Sequence, residues 1–347
     1  MRRHRLFFKD ERKGWRRLLV DTKGGRVCLT VLLFLSFFLC FAQGSLWGAE
    51  KEASGRPTDK KDHQKVKQPP LPIYRYRLLF VLKGFKLPSD VALGPQGWIY
   101  VLDGTQNLVR IFNAKGKPLF TLGGDKLLKW PLGLAVSAKG EVLVADSGNH
   151  RLALFPPGVN EPHYIPVPAP PLGKPSDPTD AGFEIDGKTY IAVDNDNHRV
   201  LALDYNGKVI WATGQMGRNP EEFRFPFLMD IDQQGYIYVV EVINTRVQVL
   251  DRNGHFVRFI GGWGIDPGQF YRPKGVAVTK DGRVFVSDSY VGVIQIFTKK
   301  GKFLGAVGGP KGKLWRFHTP VGLAARGDRL YVVEMIKNRV LVLQAIK

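Results

Sequence analysis

The chain has 347 residues, 44% of them hydrophobic and 24% charged, an ordinary balance for a globular protein. Its net charge of +20 favours anionic partners. With two cysteines, Cys28 and Cys40, both near the N-terminus, the rest of the chain has no disulfide framework and no thiol chemistry.

Residues 1–26 hold ten Lys and Arg against Asp10, Glu11 and Asp21. An apolar run extends from Val27 to Ala42. A basic segment, an apolar run and then small residues have the form of a secretory signal, and Ala42-Gln-Gly44 meets the small-x-small cleavage rule. Extended through Gln43–Ala49, the stretch approaches the ~20 residues that span a bilayer. The expectation for 27–49 is therefore a signal peptide or a signal-anchor helix. Either keeps the basic segment inside and exports the rest of the chain to the periplasm or extracellular space, with an inner-membrane anchor if uncleaved. Residues 50–72, rich in Lys, Glu, Asp, Gln and Pro, have almost nothing to bury and read as a flexible linker.

From 73 to 347 one pattern recurs: Pro-x-Gly-apolar-Ala, a Gly turn, an apolar run ending in Asp or Glu, then Asn and Arg before another alternating run. Its acidic anchors are Asp103, Asp146, Asp194, Glu241, Asp288 and Glu334, spaced by 43, 48, 47, 47 and 46 residues. A period of that length signals a repeat architecture. Each copy holds several short period-2 runs between Gly, Asn and Asp turns, so the expected unit is a four-stranded propeller blade, with a core completed by its neighbours. Copy six ends after its third strand, Val340–Leu343. Tyr76–Gly84 resembles the fourth-strand string Gly254–Gly262 and is expected to pair with Val340–Leu343, clasping first blade to last and leaving no long free edge. Within 347 residues no second globular domain fits beside this unit.

The strings Val-Ala-Asp-Ser-Gly-Asn-His-Arg (144–151) and Val-Asp-Asn-Asp-Asn-His-Arg-Val (193–200) resemble the NHL repeat. The resemblance spans about 72–347 and implies an all-β, six-bladed β-propeller. Such propellers serve as protein-binding or RNA-binding platforms, as sensor domains and, less often, as metal-dependent lyases. Leu108 and Val293 stand where the repeat Arg is expected, Glu241 and Glu334 replace Asp, and the entry at Pro175–Pro178 is degenerate.

In a propeller, the connections from an outer strand to the next inner strand emerge around the channel, on the same face as the second-to-third turns. Those connections bring Lys86, Lys129-Trp130, Arg224-Phe225, Tyr271-Arg272, Lys274 and Phe317-His318 to one mouth. Aromatic faces with Arg are common binding hot spots and suit stacking against sugars or bases. The bland alternative is that the aromatics plug gaps between blades and the cations are solvated. Four carboxylates precede an Arg by five residues: Asp146–Arg151, Asp194–Arg199, Glu241–Arg246 and Glu334–Arg339. Repeated in most blades, these read as structural turn pairs.

Ordered Ser/His/Asp groups, phosphate loops and Cys-x-x-Cys are not visible. His150 and His198 occupy one repeat position, only His318 lies on a channel-side loop, and three converging zinc ligands are not apparent. Asp194–Asn197 alone is a weak calcium signal. The expectation is thus a non-enzymatic scaffold without cofactor or metal, binding a protein or anionic glycan of the cell envelope. Export argues against nucleic acid. A metal-dependent propeller lyase or lactonase and a tethered sensory ectodomain are the alternatives. The Pro-rich insertion 156–178 reads as a docking arm or a rigid connector, with Tyr164–Val167 able to form a poor outer strand.

Overall fold

The computed structural model describes residues 70–346 and two short strands nearer the N-terminus. The 27–49 segment and nearly all of the 50–72 linker lie outside the described residues. Two compact units divide the chain, 1–66 and 67–347. The first contains β1 (Leu6–Asp10) and β2 (Gly14–Leu18), paired antiparallel, strands that the basic composition of 1–26 had not suggested.

The second unit is all β apart from single-turn 3-10 segments, and its sheets form a propeller. Strands β4 (Pro88–Leu93), β5 (Ile99–Asp103), β6 (Leu108–Phe112) and β7 (Pro118–Gly123) make one sheet in chain order. The next contains β8 (Leu134–Val136), β9 (Val142–Asp146), β10 (Arg151–Phe155) and β11 (His163–Pro166). A third contains β12 (Pro178–Phe183), β13 (Tyr190–Asp194), β14 (Arg199–Leu203) and β15 (Val209–Thr213). A fourth contains β16 (Pro226–Ile231), β17 (Ile237–Glu241), β18 (Arg246–Leu250) and β19 (Phe256–Ile260). The last is eight-stranded. It runs β20 (Pro273–Val278), β21 (Arg283–Asp288), β22 (Val293–Thr298) and β23 (Phe303–Gly308), then β3 (Ile73–Leu82), and back through β26 (Arg339–Ala345), β25 (Arg329–Glu334) and β24 (Pro320–Arg326).

The N-terminal strand β3 pairs antiparallel with β26, from Val340↔Leu82 to Ala345↔Tyr76. Its first three residues also pair in parallel with Ala306–Gly308 of β23, which joins the two halves of the large sheet. One ten-residue strand therefore serves two neighbours, more than the expected single clasp.

Local chemistry explains the meander. The turn between third and fourth strands opens with Asn113, Asp204 or Asp251, whose side-chain oxygen accepts the N–H groups two and four residues on at 2.8–3.0 Å. A left-handed glycine such as Gly116 (φ 82°) then closes it. The residue before each third strand is also left-handed: Asn107, His150, His198, Thr245 and Asn338 lie at φ 52–58°. Asn and His adopt this conformation more readily than most residues, whereas β-branched Thr245 is unusual there.

Six apolar clusters fill the seams between successive four-strand runs. The closing seam packs Leu82 and Val340 with Val91, Ile99 and Tyr331, joining the chain's two ends. Along the central strands successive residues feed two seams in turn, Ile99 and Val101 into one and Tyr100 and Leu102 into the next, as the pleat requires. Among the described residues no helix is long and apolar enough to cross a membrane.

Leu82→Ala is expected to lower stability by about 2–5 kcal/mol in urea unfolding, because it opens a cavity in the closing seam. Leu78→Ala, an exposed position on the same strand, should stay within about 0.5 kcal/mol of wild type.

Candidate functional site

The six acidic anchors end β5, β9, β13, β17, β21 and β25, and all are buried. Four hold the predicted Arg: Arg151 Nε lies 2.9 Å from Asp146, Arg199 Nε 2.8 Å from Asp194 and Arg339 2.5 Å from Glu334, while Arg246 closes tightly on Glu241. Asp103, whose repeat position carries Leu108, takes Arg110 instead, at 3.5 Å. Asp288 has no Arg and accepts backbone N–H groups from Tyr271, Arg272, Tyr290 and Val291.

The other carboxylates also accept backbone N–H groups from the loop preceding the entry Pro. Lys86 donates at 3.0 Å to Asp103, Lys129 at 2.7 Å to Asp146, Asp177 at 2.9 Å to Asp194, Arg224 at 3.2 Å to Glu241 and His318 at 2.7 Å to Glu334. Each buried charge thereby fixes the loop that carries the candidate binding residues. Such charge-assisted bonds are stronger than neutral ones.

The candidates divide by environment. Lys86, Lys129, Trp130 and His318 are exposed. Arg224 and Phe225 are half-buried, and Phe225 lies edge-on to His198 at 4.8 Å while donating its N–H to His198 Nδ1 at 3.2 Å. Burial holds that imidazole below its usual range. Tyr271 packs on Tyr290 at 4.4 Å, with Arg272 over its ring. Phe317 faces the core, stacked on Trp315 at 5.6 Å, and presents no surface to a partner. Lys274 belongs to β20 rather than a loop, and its Nζ sits 4.7 Å from the Phe227 ring centroid. Burial, and then the neighbouring charge of Arg272, push this lysine down to about 8.

The Pro-rich insertion lies against the sheets. His163–Pro166 forms the outer strand of its blade, His163 stacks on Tyr205 at 3.8 Å, and Asn160 bonds the backbone of Gly123.

Inside the ring, the first strands β4, β8, β12, β16, β20 and β24 line a cavity of about 250 Å³. Two carboxylates overlooked in the sequence, Asp90 and Asp230, line it, and a third, Asp180, is buried on β12 close enough for the charge of Asp90 to act on it. Each accepts its successor's N–H and one from the following blade. Asp90 takes the N–H of Leu134 at 3.1 Å, Asp180 that of Met229 at 2.7 Å and Asp230 that of Val278 at 2.6 Å. Glycines make room on the other side, since a Cβ on Gly322 would collide with Asp90 and one on Gly133 with Asp180. Burial pushes Asp90 and Asp230 up to about 7. Asp180 is raised by burial and then by the charge of Asp90. The signal was present in the repeat: the third residue of the entry, counting the Pro as the first, is Gly in copies two, five and six but Asp in copies one and three. Among the described residues no group of three His, Cys, Asp or Glu is placed to hold a metal ion.

The raised values set the direction of the pH dependence. Ionising a carboxyl that folding has desolvated costs stability, so its favourable contribution is complete below about pH 4 and lost as pH rises towards 7. Asp90→Asn and Asp230→Asn should therefore gain stability relative to wild type between pH 4 and 7, by roughly 1–4 kcal/mol, and hold a constant offset above. Urea unfolding across that range checks it.

The NHL repeat profile matches residues 128–155 and 270–297, each running from the loop before an entry Pro to the third strand of that blade. The chain therefore carries NHL repeats. Among solved structures it is similar to a streptogramin B lyase, with TM-score 0.57, 11% identity, and coverage of 78% of this chain and 98% of that one. A catalytically inactive His-to-Ala variant of virginiamycin B lyase from Staphylococcus aureus, solved with Quinupristin, aligns with TM-score 0.56 and 13% identity over 78% of this chain and 100% of that one. A protein of unknown function from Bacteroides thetaiotaomicron aligns with TM-score 0.59 and 14% identity over 80% and 73%. At such identities the likeness shows the β-propeller fold alone. No curated protein matches the chain significantly.

Proposed function

We propose that the protein is an exported binding scaffold of the cell envelope, a six-bladed NHL propeller whose channel-side face takes up a protein or anionic glycan. In this reading the eight-stranded sheet is two blades, the sixth completed by β3. The domain spans 73–347, and 27–49 directs it across the membrane as a signal peptide or anchor. One observation carries the reading: exposed Lys86, Lys129, Trp130 and His318, with half-buried Arg224 and Arg272, stand on loops whose backbone is already fixed by buried carboxylates. A pre-ordered loop loses less entropy on binding than a mobile one. Cations around a mouth also raise the local concentration of anionic partners.

The variant Lys86→Glu/Lys129→Glu/Arg224→Glu is expected to lower recovery of a cross-linked envelope partner at least tenfold while unfolding at the wild-type urea concentration. Wild-type recovery would rule out this face.

A second reading is a propeller lyase, favoured by the likeness to streptogramin and virginiamycin B lyases and by titratable Asp90 and Asp230 along the channel, with Asp180 nearby. Cleavage of a streptogramin B by the purified full chain, monitored by mass spectrometry, would decide for it.

A further inference from the structure

The channel-side face carries a second chemistry on its loop tips, beyond the ring of loop ends beside the entry prolines. The loops after β15 and β19 share a design, Gly-x-apolar-Gly at the start and a buried Phe at the end. Met216 bridges back to Phe223, and Trp263 to Phe270. A buried glutamine from the following blade clamps each loop at two points. Gln248 accepts the N–H of Glu221 at 2.7 Å and donates to the carbonyl of Glu222 at 3.1 Å. Gln295 does the same with Gly268 at 2.8 Å and Gln269 at 2.6 Å.

These rigid loops hold apolar side chains out in water. Trp263 is 76% exposed, Ile265 74% and Met216 60%. Leu172, on the preceding connection, is fully exposed, and Trp130, Tyr290 and Ile336 are exposed on other connections and turns of the same face. Soluble surfaces seldom display large apolar side chains together without a use.

The charge around them is one-sided. On these connections and turns Lys83, Lys86, Lys126, Lys129 and Lys174 are exposed over the first half of the ring, and Arg218, Lys311, Lys313, Arg316 and Lys337 over the second. Against these ten cations Asp125 and Asp266 are the exposed carboxylates, with Asp196, Glu221 and Glu222 half-buried.

We infer that the tips at Leu172, Met216, Trp263, Ile265 and Ile336 enter the head-group layer of an anionic lipid bilayer, drawn there by the surrounding lysines and arginines. A protein partner would need one contiguous complementary patch. Apolar tips dispersed around a ring, with cations between them, suit a fluid surface that adapts to each. Trp and Tyr favour the membrane–water interface because their rings are apolar while their N–H or O–H stays hydrated. Each Lys or Arg near an anionic leaflet adds attraction that salt screens. The inference rests on the same face as the proposed binding platform and gives it an orientation: the channel mouth turns towards the bilayer, where membrane-borne anionic glycans stand.

The test uses full-length protein on vesicles of phosphatidylcholine and phosphatidylglycerol with brominated acyl chains, which quench indole fluorescence on contact. The leader is common to wild type and Trp263→Phe, so their difference isolates Trp263. Quenching of that difference signal on 30% phosphatidylglycerol, reduced at least threefold on pure phosphatidylcholine or in 0.5 M salt, is expected. Trp263 emission that stays unquenched on anionic vesicles, or is quenched equally on neutral ones, would overturn the inference. Partner capture lost in the triple charge variant while Trp263 remains unquenched would uphold the platform and reject the lipid contact. Quenching with no partner captured would do the reverse.

Discussion

The channel-side face depends on one repeated interaction, a buried carboxylate at the end of the second strand that binds both a side chain and the backbone of the loop before the blade. A carboxylate removed from water is costly unless its lone pairs are met. Here they are met by an Arg at five of the six anchors, by Asn149, Asn197 or Asn244 at three, and by the loop N–H groups at all six. One need, repeated around the ring, orders the loops that carry Lys129, Arg224 and His318. The scaffold role and the presentation of binding groups are therefore the same interaction seen from two sides.

Ring closure imposes the second constraint. Each blade buries one side only by facing the next, so the last must meet the first, and β3 supplies both the outer strand beside β26 and the bridge to β23. At the axis the blades draw close enough that Gly133 and Gly322 are required where the carboxyls of Asp180 and Asp90 cross from a neighbour. Those carboxyls link blades by hydrogen bonds at the cost of desolvation. Their contribution to stability is therefore lost as pH rises from about 4 towards 7.

Two kinds of chemistry meet on the channel-side face, and Lys86, Lys129 and Trp130 belong to both. The loop ends beside the entry prolines are cationic and aromatic, suited to an anionic partner at the mouth. The loop tips nearer the outer strands are apolar and held by Gln248 and Gln295. A surface that contacts lipid at its rim and a glycan or protein at its centre is consistent with both.

The repeat was legible because its turn and anchor residues recur in register. The period, the four-stranded unit, the pairing of Tyr76–Gly84 with Val340–Leu343 and the carboxylate–Arg pairs all depend on local spacing. Tertiary structure decided the rest. It turned Phe317 into the core, placed Lys274 in a strand over Phe227, and brought Arg110 to Asp103 from two residues beyond the expected position. It also brought Asp90, Asp180 and Asp230, separated by up to 140 residues, within electrostatic reach of one another, with Asp90 and Asp230 lining one channel. The sequence by itself determined what each blade is, because strands and turns obey rules a few residues long. Only the closed ring decided what faces the axis, the seams or the solvent, because those surroundings come from other blades.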